Sequence, residues 1–245
     1  MMLRSFLPKS IKYNWIFGIV LILIFTIARF YIVLDANVSK NYGNASYLFT
    51  IMALLPFILL NKEGRQFAGI KKPSSYLWLL NSFVIGALVC SGIYLLFNII
   101  YDHSINHSMV YISNSYAMEH MNEDNKFTIF IIFSVTSMIF SPLGEELFYR
   151  SLIHGSFVEK FGENKASIFD SLAFALAHLS HFGIIYYMGK WSFLPIPALL
   201  WFASMFFLCR MIFICRQKSG SILGPIACHA GFNVAMIYWI FYHIL

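Results

Sequence analysis

The sequence predicts an all-α fold, a polytopic membrane helical bundle of seven to eight transmembrane helices, and three observations predict it. Of 245 residues, 59% are hydrophobic and 11% charged, against roughly 25% charged in an ordinary soluble domain. Apolar runs close to the about 20 residues that cross a hydrocarbon core of about 30 Å recur along the whole chain. Lysine and arginine gather in alternate segments between those runs.

The runs lie at 13–34, 46–61, 76–101, 127–143, 166–184, 193–215 and 221–244, which makes seven. The first follows a basic N-terminal segment as a signal peptide would. It is longer than a typical signal h-region and lacks an A-x-A-like cleavage site, so it is expected to stay as a span. The fourth runs on into SPLGEELFYRSLIHG. An eighth helix would arise over 147–161 if the chain broke at Pro142, which lacks a backbone donor, and at the flexible Gly144. No repeat, low-complexity tract or linker divides the chain. It reads as one integral-membrane domain over 1–245, with 1–126 free of any recognised motif.

Orientation follows from the basic residues, which accumulate on the cytoplasmic side of membrane proteins. Arg4, Lys9 and Lys12 precede the first run, and Lys62, Arg65, Lys71 and Lys72 follow the second. Lys160 and Lys165 follow the fourth, and Arg216 and Lys218 the sixth. The alternate loops hold only Lys40, Lys126 and Lys190, and the longest, 102–126, carries Asp102, Glu119, Glu123 and Asp124. The N-terminus is therefore expected in the cytoplasm. This asymmetry accounts for the net charge of +6, so a nucleic-acid partner is not expected. The partner expected from composition is the lipid bilayer. Abundant Ile, Phe, Asn, Lys and Tyr suit an AT-rich genome and hence a bacterial cell membrane. The four cysteines, Cys90, Cys209, Cys215 and Cys228, show no C-x-x-C spacing and read as small buried packing residues.

Ionisable groups at membrane depth are costly and tend to face the bundle interior or a wet cavity. Three clusters qualify. In the first, Glu146 and Arg150 are four apart and share a helix face, so they can pair and remain ionised. Glu145, about 100° away, is aimed elsewhere and is free to act as a base. The bland alternative is a buried ion network of both glutamates with Arg150. In the second, Phe174 and His178 share a face, and histidine can hold or relay a proton near neutral pH. His181, three further on, is expected at the helix end among headgroups or water. In the third, His229 and Asn233 lie one turn apart after Pro225. Two donors on one face can hold a carbonyl oxygen as it gains charge, although Asn233 alone also suits an interhelical hydrogen bond. Together the clusters point to a catalytic site.

The three motifs, EExxxR (Glu145, Glu146, Arg150), FxxxH (Phe174, His178) and HxxxN (His229, Asn233) within LGPIACHAGFN, resemble the CAAX protease and bacteriocin-processing family of intramembrane proteases, also called the Abi family. The resemblance covers about 127–240. It implies a multi-helix bundle, usually of eight helices, with a conical cavity open to the cytoplasm or the lipid, and a glutamate-dependent peptidase. By that resemblance Glu145 and His178 activate water, His229 and Asn233 stabilise the oxyanion, and Glu146, Arg150 and Phe174 support the site. No cofactor is implied; 127–245 is then the catalytic core, and the partner implied beside the bilayer is a peptide or lipidated-peptide substrate. Three alternatives stand beside it. Glu145, His178 and His229 could serve as three zinc ligands with an open fourth position, though no H-E-x-x-H helix is present. A non-proteolytic bacteriocin-immunity or binding protein would need no cleavage. A proton-relaying transporter would be expected to show an inverted repeat, and none is visible.

Overall fold

The structure, a computed structural model, describes residues 2–116 and 121–245. Glu119 of the acidic loop thus lies outside the described residues. In chain order the helices are α1 (Trp15–Ser39), α2 (Gly43–Leu59), a short α3 (Lys62–Phe67), α4 (Leu77–Tyr101), a short α5 (Ser108–Ser113) and α6 (Glu123–Glu145). Wider turns at Glu146–Ile153 lead into α7 (His154–Ala177), and a single tight turn, His178–Ser180, ends it. Then follow a hairpin of β1 (Ile184–Tyr187) and β2 (Lys190–Phe193), α8 (Pro195–Ser219) and α9 (Leu223–Trp239), the last extended by Ile240–Ile244.

This is an integral membrane protein. Among the described residues, five helical stretches are long and apolar enough to cross a bilayer: Trp15–Ser39, Leu77–Tyr101, Glu123–Ser180, Pro195–Ser219 and Leu223–Ile244. Large apolar side chains such as Ile19, Leu23, Ile27, Leu80, Leu88 and Leu199 point outward, as lipid-facing residues do. The stretches number five rather than seven to eight, and two features account for the difference. The apolar α2 has only 17 residues, and the 58-residue stretch Glu123–Ser180 is bent within itself at Gly162.

That bend corrects the expected break. Pro142 lies inside α6, and the helix runs on through Gly144 and the wider turns into α7, so 147–161 forms no separate helix. Buried helices tolerate proline because neighbouring groups satisfy the freed carbonyl. The chain breaks instead at Gly162, whose φ of 73° and ψ of 164° suit glycine alone.

The hairpin is a second departure from an all-helical chain. It pairs Ile184 with Phe193 and Tyr187 with Lys190 in antiparallel register. Met188 (φ 50°) and Gly189 (φ 79°) form its two-residue turn, and positive φ at both positions matches the right-handed twist of the strands. The hairpin takes the last residue of the run expected at 166–184 and the first of the one at 193–215, where α8 starts two residues later and runs on to Ser219.

The basic segments gather at one end of the bundle. Asn61 N donates to Met2 O at 3.0 Å, Ser74 N to Ser219 O at 2.8 Å and Ile222 N to Gly69 O at 2.9 Å, while Lys160 Nζ lies 4.1 Å from the Trp15 ring centroid. At the other end Lys40 Nζ donates to Asn114 O at 2.8 Å, and Tyr186 N to Tyr111 Oη at 2.9 Å. Between the ends α4 and α9 touch backbone to backbone. A Cβ on Gly86 would come 1.8 Å from Cys228 O, and one on Gly231 would come 1.9 Å from Phe83 O. Small residues permit such close helix approach in membranes, and this contact fixes the helix that carries His229 and Asn233.

Candidate active site

Four helices deliver polar side chains to one buried region. The last residue of α6 is Glu145, and the wider turns after it present Glu146 and Arg150, with all eight residues of Glu146–Ile153 buried. Such i→i+5 turns inside α-helices occur often at functional sites. The end of α7 brings Phe174 and His178, whose rings stack at 3.9 Å between centroids. His229 and Asn233 come from α9, and α1 contributes Arg29, which is 3% exposed.

The two glutamates go to different partners. Glu145 Oε1 accepts from Arg29 Nη1. Its other oxygen, Oε2, makes no hydrogen bond among the described residues; it lies 3.6 Å from His229 Nε2 and 4.0 Å from His178 Nε2. Arg29 Nη2 also reaches His178 Nε2 at 3.1 Å and His181 Nε2 at 3.0 Å. Guanidinium only donates, so both of those nitrogens accept. His178 Nδ1–H in turn donates to Phe174 O at 2.8 Å.

Glu146 belongs to a chain of charges that runs through the interior. Its Oε1 accepts from His229 Nδ1 at 2.8 Å, and Arg150 Nε lies 3.4 Å from its Oε2. Arg150 Nη1 lies 3.3 Å from Asp170 Oδ1, its Nη2 donates to Cys209 Sγ at 2.7 Å, and its guanidinium covers the Phe174 ring at 4.7 Å. Asp170 Oδ2 then meets His154 Nδ1 at 2.6 Å, and His154 Nε2 meets Glu163 Oε2 at 2.8 Å. Glu163 finally accepts from Arg216 Nη1 at 3.0 Å, at the basic end. Each charge has an opposite neighbour, which is the condition for keeping so many in a poorly solvated interior.

A cavity of about 180 Å³ borders the first of these groups. Arg29, His178, His181, His229 and Asn233 give it a polar side, and Phe49, Trp201, Met205 and Phe232 an apolar one. Glu145 stands behind this lining, 1% exposed. Asn233 Nδ2 donates to Ser137 O at 2.8 Å, and Ser141 Oγ lies 3.5 Å from His229 Nε2. The cavity extends past His181 to Tyr42 and Tyr116, residues near the end opposite the basic segments.

The structure therefore brings Glu145, His178 and His229 to one point and sets Asn233 on the same cavity, with Glu146, Arg150 and Phe174 packed behind. Two expectations are corrected. Glu145 is not a free carboxylate, because α1 supplies a cation to it. His181 does not simply meet headgroups or water; it binds Arg29 and lines the cavity, since the tight turn after α7 folds it back. The cysteines are all buried and free, and Cys209 does more than pack, since it accepts from Arg150. Sequence reasoning missed Arg29, His154 and Asp170. Each left a signal: Arg29 is the one charge in the interior of its apolar run, while His154 lies four residues after Arg150 and Asp170 four before Phe174, so both extend faces already identified. Among the described residues, no group of three or more His, Cys, Asp or Glu side chains is arranged to hold a metal ion.

Residues 127–235 match the family described as Rce1-like, type II CAAX prenyl endopeptidase Rce1-like. The matched segment spans all three motifs and ends before the last turns of α9; Arg29 lies outside it. No curated protein and no solved structure matches the chain at a significant level.

Proposed function

We propose, from the premise that this chain belongs to the CAAX protease and bacteriocin-processing family through its residues 127–235, that it is a glutamate-dependent intramembrane endopeptidase acting on a membrane-associated peptide. The observation that carries this reading is the open oxygen of Glu145, 3.6 Å from His229 Nε2 and 4.0 Å from His178 Nε2. Polar atoms at such separations suit a bridging water. In the reaction Glu145 and His178 hold the water, and its oxygen attacks the scissile carbonyl as its proton passes to Glu145. The oxyanion that forms is met by Asn233 Nδ2–H and by His229, whose Nε2 donates once the ring carries a proton on both nitrogens. The proton then goes to the leaving amine, and the C–N bond breaks. Glu146 and Arg150 keep His229 in place. No cofactor takes part in this reading: the cation among Glu145, His178 and His181 is the Arg29 guanidinium, and a zinc ion bound by Glu145, His178 and His229 would have to displace it.

The apolar half of the cavity suits a hydrophobic peptide. Maturation of a peptide pheromone or bacteriocin precursor in a bacterial membrane, with the N-terminus of the enzyme in the cytoplasm, is the preferred substrate reading over CAAX-type processing. The test compares the peptides of cells with and without the gene by mass spectrometry, then asks whether the purified protein makes the same cut. Glu145→Ala should abolish the cut while the protein stays monodisperse, and a strong chelator should leave it intact. Near-native turnover by Glu145→Ala would overturn the reading. Cellular function retained by Glu145→Gln would favour binding without cleavage, and stoichiometric zinc whose removal kills activity would favour the metalloprotease.

A further inference from the structure

We infer that Arg29, on a helix outside the family-matched segment, is a positioning residue of the site: one guanidinium fixes the orientation of the Glu145 carboxylate and the hydrogen-bond direction of His178 and His181. The inference rests on the endopeptidase reading for its meaning but not for its test. Arg29 is buried at the middle of the bundle, and its two terminal nitrogens contact three ionisable groups at once. Its Nε makes no hydrogen bond among the described residues, so these contacts, with the Phe49 ring 5.7 Å away, hold the side chain.

The consequences follow from donor chemistry. Guanidinium has five donors and no acceptor and stays charged in proteins. A carboxylate facing it is favoured in its ionised form. An imidazole nitrogen facing it must present a lone pair, which leaves His178 neutral, with its one proton on Nδ1 toward Phe174 O. The groups around this cation are Glu145 from α6, Glu146 and Tyr149 from the wider turns, His178 and His181 after α7, His229 from α9 and Tyr42 stacked on His181. Of these only Glu145, His178 and His181 hydrogen-bond to Arg29. Arg29 thus sets the resting geometry of the two groups that would activate water: Glu145 turns Oε1 to the guanidinium and leaves Oε2 open, and His178 keeps its proton on Nδ1.

Dicyclohexylcarbodiimide, which reacts with protonated carboxyl groups in apolar places, reads this pattern without any substrate. In the full-length protein in detergent at about pH 7, Glu145 should resist labelling in the wild type. Arg29→Gln, which removes the cation that hydrogen-bonds Glu145 Oε1, should raise labelling at Glu145, mapped by mass spectrometry, at least about tenfold. Arg29→Lys, which keeps a cation but not the fork, should fall between. Should Arg29→Gln fail to fold, the Lys variant carries the comparison alone. Once a cleaved peptide is in hand, kcat should fall in the same order with little change in KM. Equal labelling of Glu145 in wild type and folded variants, at every pH from about 5 to 8, would overturn the inference. Loss of cleavage in Glu145→Ala with unchanged labelling in Arg29→Gln would sink the role of Arg29 and leave the endopeptidase reading standing.

Discussion

Glu145 and Glu146 are adjacent in sequence and equally buried, yet they live in two different regions of the molecule. Glu145 stands just behind the cavity lining, holds one cation from α1, and keeps an oxygen open toward two imidazole nitrogens. Glu146 faces the interior, where His229 hydrogen-bonds one oxygen, the Arg150 guanidinium lies 3.4 Å from the other, and a file of ion pairs and imidazole contacts leads on to Arg216. The comparison shows how one helix separates reactivity from support: a wider turn begins between the two residues, and partners drawn from different helices do the rest. Pairs of like groups held in unlike surroundings are a general route to unlike roles. Glu145 is placed to exchange a proton, and Glu146 to hold a ring still.

The sharpest way to break this comparison is to remove each charge in turn. Glu145→Gln should cost cleavage about 10²- to 10⁴-fold, the usual contribution of a general base, with little change in the midpoint of thermal unfolding in detergent. Glu146→Gln should do the reverse in stability, because it strands Arg150 beside Asp170 alone; breaking a buried pair typically costs about 3–5 kcal/mol. Its activity would fall as well, through His229, but in proportion to the unfolded fraction and the misplaced ring. If the two variants lost stability equally, the division between the glutamates would be wrong.

Asn233 tests the cavity side more gently. Its amide already spends one donor on Ser137 O, and the other remains for a developing oxyanion. Asn233→Ala should lower kcat about 10²- to 10³-fold, the range for one oxyanion donor, and raise KM little. A change confined to KM would assign Asn233 to substrate binding instead.

Much of this site was legible in the sequence because polar residues in apolar runs are conspicuous and four-residue spacing places them on faces. Glu146 with Arg150 and Phe174 with His178 meet as that spacing predicts. What escaped was whatever depended on helix-to-helix placement. Arg29 has no charged residue three or four positions away on its own helix, so only the packing of α1 against the end of α6 and the turn after α7 gives it partners. The rest of the ion file was missed by stopping the count one step early, at Arg150 and Phe174 rather than at His154 and Asp170. The fold was read less well where local chemistry competes. Pro142 reads as a helix end, but a buried helix absorbs it, whereas Gly162 in FGEN was overlooked. The aromatic and β-branched stretch IIYYMGKWSF, with its Met-Gly turn, is a hairpin signal that two long apolar runs obscured.

Because His229 faces Glu146 with one nitrogen and Glu145 with the other, moving α9 should disturb both regions together. Gly231→Ala would push a methyl group to within 1.9 Å of Phe83 O, where backbone rather than a flexible side chain must yield. Overpacking of this kind costs about 1–3 kcal/mol. Thermal unfolding should show that loss, and cleavage should fall in step with it. An alanine variant of full stability would mean that α4 and α9 lie further apart than described.

The smallest effect contrasts histidines rather than glutamates. His154 sits between the carboxylates of Asp170 and Glu163. His107, beyond the end of α4, packs against the Tyr94 and Phe97 rings and accepts from Met109 N at 3.1 Å through Nδ1, and its Nε2 makes no hydrogen bond among the described residues. Burial holds its pKa down at about 4. The unfolded chain takes up a proton near pH 6.5, so between about 6.5 and 4 the unfolded state binds more protons and stability falls as pH falls. Above that window both states are neutral and His107 adds no pH dependence. His107→Asn keeps an acceptor for Met109 N at the start of α5 but cannot titrate. The drop in unfolding temperature between about pH 7 and pH 5 should therefore be smaller in the variant than in the wild type, and an identical drop would show that His107 is hydrated.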